Sequence, residues 1–188
     1  MTRKKPADKT CLYGKRFVSK QHGRIAFRGM IDSLEAEFLE ARILASSLGC
    51  DYIRACFDEA AAYLQKIMAA EVKNEAFRPS GFFGLSAEEI HRQSQVVKEA
   101  FGLAEHPLPE PGMGPLAARI NLLRTRVREG ELLAVRVFGG FFGRRMDLIS
   151  AMNLLSSALW WLFCKHVSSI EPAGARQPVT GQPHLLSK

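Results

Sequence analysis

"INLLRTRVREGE", residues 120–131, lies in a leucine- and valine-rich run that asks for a buried helix, yet it carries Arg124, Arg128 and Glu131. Asn121, Arg124, Arg128 and Glu131 are spaced by three, four and three, so all four lie along one face of a helix. The same periodicity governs most of the chain. Strict two-residue alternation is scarce, and Gly and Pro cluster in a few places between long helical stretches, so the expected class is all-α. With 188 residues, 47% of them apolar, the chain suffices for one domain with a sizeable core.

Working outward from that stretch, helix four is expected over about 116–137 and helix five over about 146–167, separated by "GGFFG", residues 139–143. Upstream, a first helix is expected from about Gly23 to Leu48, burying Ile25, Ile31, Leu34, Phe38 and Leu44 before Gly49 ends it. A second, about 51–72, carries Ile53, Phe57, Ala60, Leu64 and Ile67. "RPSGFFG", residues 78–84, reads as a loop, and Ser86 with Glu89 forms a capping-box signature opening a third helix to about Ala100. "EHPLPEPGMGP", residues 105–115, is irregular because its prolines forbid helix and its glycines permit sharp turns. Five helices with mostly short connections predict an up-and-down bundle over residues 23–170. Residues 1–22 form an extended basic arm, and the Pro- and Gly-rich residues 171–188 a disordered tail.

The net charge of +7 and pI near 9.5 are concentrated at the start, where Arg3, Lys4, Lys5, Lys9, Lys15, Arg16, Lys20, Arg24 and Arg28 face only Asp8. That is a local anion site or a disordered tail. A nucleic-acid-binding stripe wants interleaved aromatics, and here only Tyr13, Phe17 and Phe27 are available, so a smaller phosphate ligand suits the segment equally. Cys11, Cys50, Cys56 and Cys164 form no C-x-x-C pair and follow no secretory signal, which predicts reduced thiols in a cytoplasmic protein and no structural zinc. "LLSSALWWLFCKHV", residues 154–167, is interrupted by Ser156 and Ser157 and reads as a core helix, not a membrane span.

For the stripe on helix four, two readings stand. One is a solvated face on which Glu131 supports Arg128. The other is a polyanion clamp, since guanidinium groups give planar, multiply donating contacts to phosphate oxygens. Asn153, Ser156 and Ser157 on helix five repeat the polar theme.

Two stretches, taken in order, resemble the ATP:cob(I)alamin adenosyltransferase family, and the resemblance extends from about Thr10 to Cys164. In "TCLYGKRFVSKQHGRIAFRGMIDSLE", residues 10–35, the matching positions are Thr10, Gly14, Lys20, Arg24, Gly29, Asp32 and Leu34. In "PGMGPLAARINLLRTRVREGE" and "MNLLSSALWWL" they are Pro111, Gly112, Arg124, Thr125, Arg128, Glu131, Asn153, Leu155 and Ser156. The middle of the chain is similar to the ethanolamine-utilisation branch, the N-terminal segment to the propanediol-utilisation branch. The N-terminal His/Cys metal motif of ethanolamine-type enzymes has no counterpart here, so no protein-bound metal is expected.

The resemblance implies transfer of the 5′-deoxyadenosyl group of ATP, bound with Mg, to cob(I)alamin, giving adenosylcobalamin and triphosphate. Cobalt(I) is already a strong nucleophile, so the protein's work is to position C5′ and stabilise negative charge on the departing triphosphate. By resemblance, Arg128 serves the triphosphate and transition state, and Arg124 pairs with Asp32 across a subunit interface. Glu131 and Asn153 lie near the nucleotide. Thr10, Gly14, Lys20 and Arg24 wrap the phosphates in an anion nest. A homo-oligomer is implied, the trimer of the propanediol branch ahead of the dimer of the ethanolamine branch, along with a cobalamin reductase and an adenosylcobalamin-dependent enzyme as partners; nucleic acid and membrane are not.

Two places depart from the family pattern. "KKPADK", residues 4–9, stands where a glycine-bearing turn is common, and Leu108 stands at the corrinoid-side position that propanediol-type enzymes fill with an aromatic displacing the lower ligand, a space to which Phe82 or Phe83 could contribute. These departures support the alternative of a non-catalytic corrinoid or ATP carrier of the same fold. His91, His106 and the pair Cys164 and His166 read as ordinary surface or packed residues, and Trp160 and Trp161 as core or interface.

Overall fold

The computed structural model describes residues 6–14, 16–103, 107–140 and 144–170. The tail 171–188, His106 and part of the "GGFFG" break lie outside the described residues.

The basic arm is a β-hairpin. Strands β1 (Lys9–Tyr13) and β2 (Arg16–Ser19) pair antiparallel, with Thr10 opposite Val18 and Cys11 opposite Phe17. Gly14 turns the chain at φ +48°, a conformation open to glycine at little cost. β-branched and aromatic side chains on both sides of that turn favour strands, and Leu12 is buried beneath them.

Helix α1 (Gly23–Ser47) is capped by His22, whose Nδ1 accepts the Arg24 N–H at 3.2 Å. Its buried stripe is Phe27, Ile31, Leu34, Phe38, Ala41 and Ala45; Ile25 and Leu44, expected inside, lie only at the margin. Helix α2 (Asp51–Lys73) buries the expected Ile53, Phe57, Ala60, Leu64 and Ile67. The Ser86–Glu89 capping box is present with both of its hydrogen bonds. The helix it opens, α3 (Ala87–Gln95), stops at Val96, and α4 (Val97–Phe101) starts anew. The Ser94 hydroxyl donates back to the His91 carbonyl at 2.8 Å, and two β-branched residues follow, a combination that weakens helix continuation. A 3₁₀ turn at Pro111–Met113 leads into α5 (Gly114–Phe138), and α6 (Met146–Ile170) closes the described chain.

Contacts fix the directions of the long helices. Phe38 meets Phe57, and Arg24 meets Glu71, so α1 and α2 are antiparallel. Phe27 meets Phe138 at 5.1 Å, and Glu37 pairs with Arg126, so α5 also opposes α1. Asn153 meets Glu131, and Trp160 meets Arg124, so α6 opposes α5. The order is therefore up, down, down, up, which corrects the expected five-helix up-and-down bundle. Since α5 runs parallel to α2, the chain returns between them from one end of the bundle to the other, and α3 and α4 pack on α6, where Trp161 Nε1 donates to Gln93 Oε1 at 2.7 Å and its ring meets Phe101. At 25 residues α6 is long and apolar enough to cross a membrane, but Leu155, Leu159, Leu162 and Phe163 are fully buried among the other helices.

Candidate active site

The polar stripe of helix four lies on α5 along its seam with α6. The core face of α5 is intact, with Ile120, Leu123, Val127 and Ala134 fully buried, and the stripe runs beside it. Glu131 is its fixed point. Its side chain is only 10% exposed, and the carboxylate accepts from Arg128 Nη1 at 2.9 Å and from Asn153 Nδ2 at 3.0 Å, joining the two helices. Arg128 itself is 54% exposed on its side chain, so a buried acid holds a guanidinium that is presented outward. Neither the solvated face nor a wholly buried clamp describes this arrangement, since the acid is inside and the base outside.

One turn earlier, Arg124 is half-buried. Its Nε donates to Asn121 Oδ1 at 3.2 Å and its guanidinium lies 5.4 Å from the Trp160 ring centroid. Burial holds its pKa below the ordinary value, and the like charge of Arg128 acts in the same direction. Among the described residues no carboxylate forms an ion pair with it. Asp32 is exposed on α1 and makes no ion pair among the described residues, so one chain does not bring Arg124 and Asp32 together.

A second cationic group lies beneath the hairpin. Glu71, with no exposed surface, accepts from Arg24 Nε at 2.6 Å and from Arg28 Nε. Both guanidiniums face the Tyr13 ring, at 4.8 and 5.6 Å from its centroid. In front of Arg24 opens a cavity of about 820 Å³ lined by Tyr13, Arg16, His22, Arg136 and Phe138 among others, with no carboxylate on its wall. Three arginines and no acid make it a seat for an anion. No hydrogen bond or ion pair among the described residues links this group to Arg124, Arg128 or Glu131.

Thr10 is half-buried in β1, Gly14 sits at the hairpin turn and Lys20 is exposed just after β2. The expected backbone nest is partly spent, since the Lys9 N–H donates to the Pro6 carbonyl and the Lys20 N–H to the Asp8 carbonyl at 2.8 Å. Leu108 is 81% exposed. Phe82 is buried, whereas Phe83 adopts φ +58° and packs against Trp161. His91 bonds to Gln95 on the surface of α3. Cys164 is buried, its thiol pushed up to about 12 by burial. Arg28 is one of the N-terminal cations read from sequence as a local anion site, whereas Glu71 carries no sequence expectation, although it occupies the next place in the buried stripe of α2.

The chain matches the family model described as cobalamin adenosyltransferase over residues 1–166. It is similar to the corrinoid adenosyltransferase EutT of Escherichia coli (strain K12), with 31% identity over 179 residues, covering 94% of this chain and 62% of that protein. It is similar also to the corrinoid adenosyltransferase EutT of Salmonella typhimurium (strain LT2), with 34% identity over 159 residues, covering 84% of this chain and 58% of that protein. The chain thus spans less than two thirds of the length of either relative. No solved structure matches it.

Proposed function

Because the chain belongs to the cobalamin adenosyltransferase family, we propose that it transfers the 5′-deoxyadenosyl group of ATP to cob(I)alamin, giving adenosylcobalamin and triphosphate. The observation that carries this reading is the Glu131 network: a buried carboxylate that orients Arg128 and Asn153 while leaving the guanidinium half in solvent. Cobalt(I) attacks C5′, the cobalt–carbon bond forms, and the C5′–O bond breaks with its electron pair passing to the triphosphate. A pre-oriented guanidinium lowers the energy of that developing charge without reorganising during the reaction.

The cavity beside Arg16, Arg24 and Arg136 supplies a second positive surface suited to a polyphosphate. Since no hydrogen bond or ion pair among the described residues joins the two cationic groups, we assign the complete site to the junction of two copies, with Asp32 of one facing Arg124 of the next and a trimer as the assembly. Magnesium would enter with ATP, held on its phosphate oxygens. The four cysteines are unpaired, which suits a reducing cytoplasm and a reductase that delivers cobalt(I).

The test is spectral: cobalt–carbon bond formation by the full chain with ATP and chemically reduced cobalamin. Formation of adenosylcobalamin with release of triphosphate is expected. Binding of both substrates without bond formation would replace the enzyme by a carrier of the same fold, the reading to which the exposed Leu108 lends support.

A further inference from the structure

Ile53, Phe57, Ala60, Leu64 and Ile67 mark the buried stripe of α2, and the next place on it is Glu71. An aliphatic side chain there would extend the core, whereas a buried carboxylate carries a desolvation cost that its partners must offset. Here both oxygens are engaged, each by the Nε of a different arginine on α1, one turn apart. Each guanidinium has a second fixed point: Arg24 Nη2 donates to Asn74 Oδ1 at 3.3 Å, and Arg28 Nη2 to the Leu12 carbonyl at 3.0 Å. Two contacts on a planar group fix its orientation. The Arg28 contact also ties the hairpin to the bundle, because Leu12 lies in β1, and the Tyr13 ring beside it covers both guanidiniums.

Engagement through Nε leaves Nη1 of Arg24 without a hydrogen bond to any other described residue, and Arg24 lines the open cavity. Two cations on one anion leave the trio with a net positive charge. We propose that Glu71 is a positioning residue for nucleotide binding: from inside the core it sets both guanidiniums, pinning the hairpin through Arg28 and aiming the free donors of Arg24 at a polyphosphate in the cavity. That the polyphosphate belongs to ATP rests on the adenosyltransferase reading; the positioning role does not.

The experiment titrates inorganic tripolyphosphate into the full chain and its Glu71→Gln variant by calorimetry, beside steady-state KM values for ATP and cob(I)alamin. The charge-assisted contacts to Arg24 and Arg28 predict a loss of about tenfold or more in tripolyphosphate affinity and a matching rise in KM for ATP. The KM for cob(I)alamin stays at its native value, a split that a general loss of packing would not produce. In an Arg24→Ala, Arg28→Ala background the Glu71→Gln change has no further effect on affinity, as expected for groups acting as one unit. Unchanged or tighter tripolyphosphate binding by folded Glu71→Gln, as removal of a nearby negative charge alone would give, overturns the proposal. Should that variant not fold, Arg24→Lys keeps the charge but loses the Nε contact, and native affinity there overturns it equally. Failure of the native chain to form a cobalt–carbon bond bears on the adenosyltransferase reading alone, because the titration needs no turnover.

Discussion

Arg128→Ala separates the catalytic value of a side chain from its value to folding. Arg128 is 54% exposed, and its partner Glu131 keeps the Asn153 amide at 3.0 Å after the guanidinium is gone. Removing a half-solvated guanidinium from a buried carboxylate oxygen costs about 1–3 kcal/mol. For a chain of this size each kcal/mol lowers Tm by about 2–4 °C. If Arg128 faces the departing triphosphate, its loss removes a donor aimed at developing charge, and kcat should fall by about 100- to 1000-fold. The two effects differ enough to be read independently. Thermal unfolding followed by circular dichroism gives the first, and the rate of cobalt–carbon bond formation with saturating ATP gives the second. A rise in KM for ATP with kcat preserved would make Arg128 a ground-state contact, and turnover at the native rate would refute the reasoning.

Asp32→Asn should leave the monomer folded, because Asp32 is exposed and unpaired among the described residues, but should shift sedimentation toward smaller species. An unchanged assembly would remove Asp32 from the interface. Asp147 accepts the Phe77 N–H at 2.8 Å and is paired with Arg145; burial pushes its pKa up, but Arg145 and the backbone donors outweigh it, and the net direction is downward. That stability is present above the ordinary carboxylate range and lost as pH falls through it, so Asp147→Asn should cost about 1.5–3 kcal/mol near neutrality and progressively less below about pH 4, measured by urea unfolding. Burial lowers the His166 pKa, so the unfolded chain binds the proton more tightly. Stability should therefore decline as pH drops below about 6.5, and His166→Gln should flatten that decline.

The long helices were legible because each buries a regular stripe; all five apolar positions named for α2 are inside. The capping box was equally plain, since Ser86 and Glu89 act through local backbone geometry. Directions were not legible. Periodicity says which face is buried but not which helix covers it, so the third helix, expected to about Ala100, counts in the sequence as one more member of an up-and-down bundle. The hairpin was not legible because its strands are only five and four residues long and bury one side chain, Leu12, too few positions to show a two-residue alternation. On α5 the stripe was visible as spacing, but spacing cannot show that Glu131 is inside and Arg128 outside. Glu71 carries a signal of its own: a charge at the sixth place of an apolar stripe is costly unless cations meet it, and Arg24 and Arg28 carry that spacing on the preceding helix.

Arg124 states the remaining requirement of the site. Its guanidinium is half-buried against Trp160, receives one amide oxygen from Asn121, and has burial and Arg128 both working against its charge. A cation so placed is costly without an anion, and the described residues of its own chain provide none in ion-pair range. Glu131 does not serve, because its two oxygens are taken by Arg128 and Asn153. The described residues supply no such anion; on the function proposed above it is Asp32 of a second copy or an oxygen of triphosphate. On that proposal the positive charge at the α5–α6 seam is balanced by assembly or by nucleotide binding. Ionic strength should then weaken assembly and ATP binding together, since on that proposal each draws on the Arg124 guanidinium.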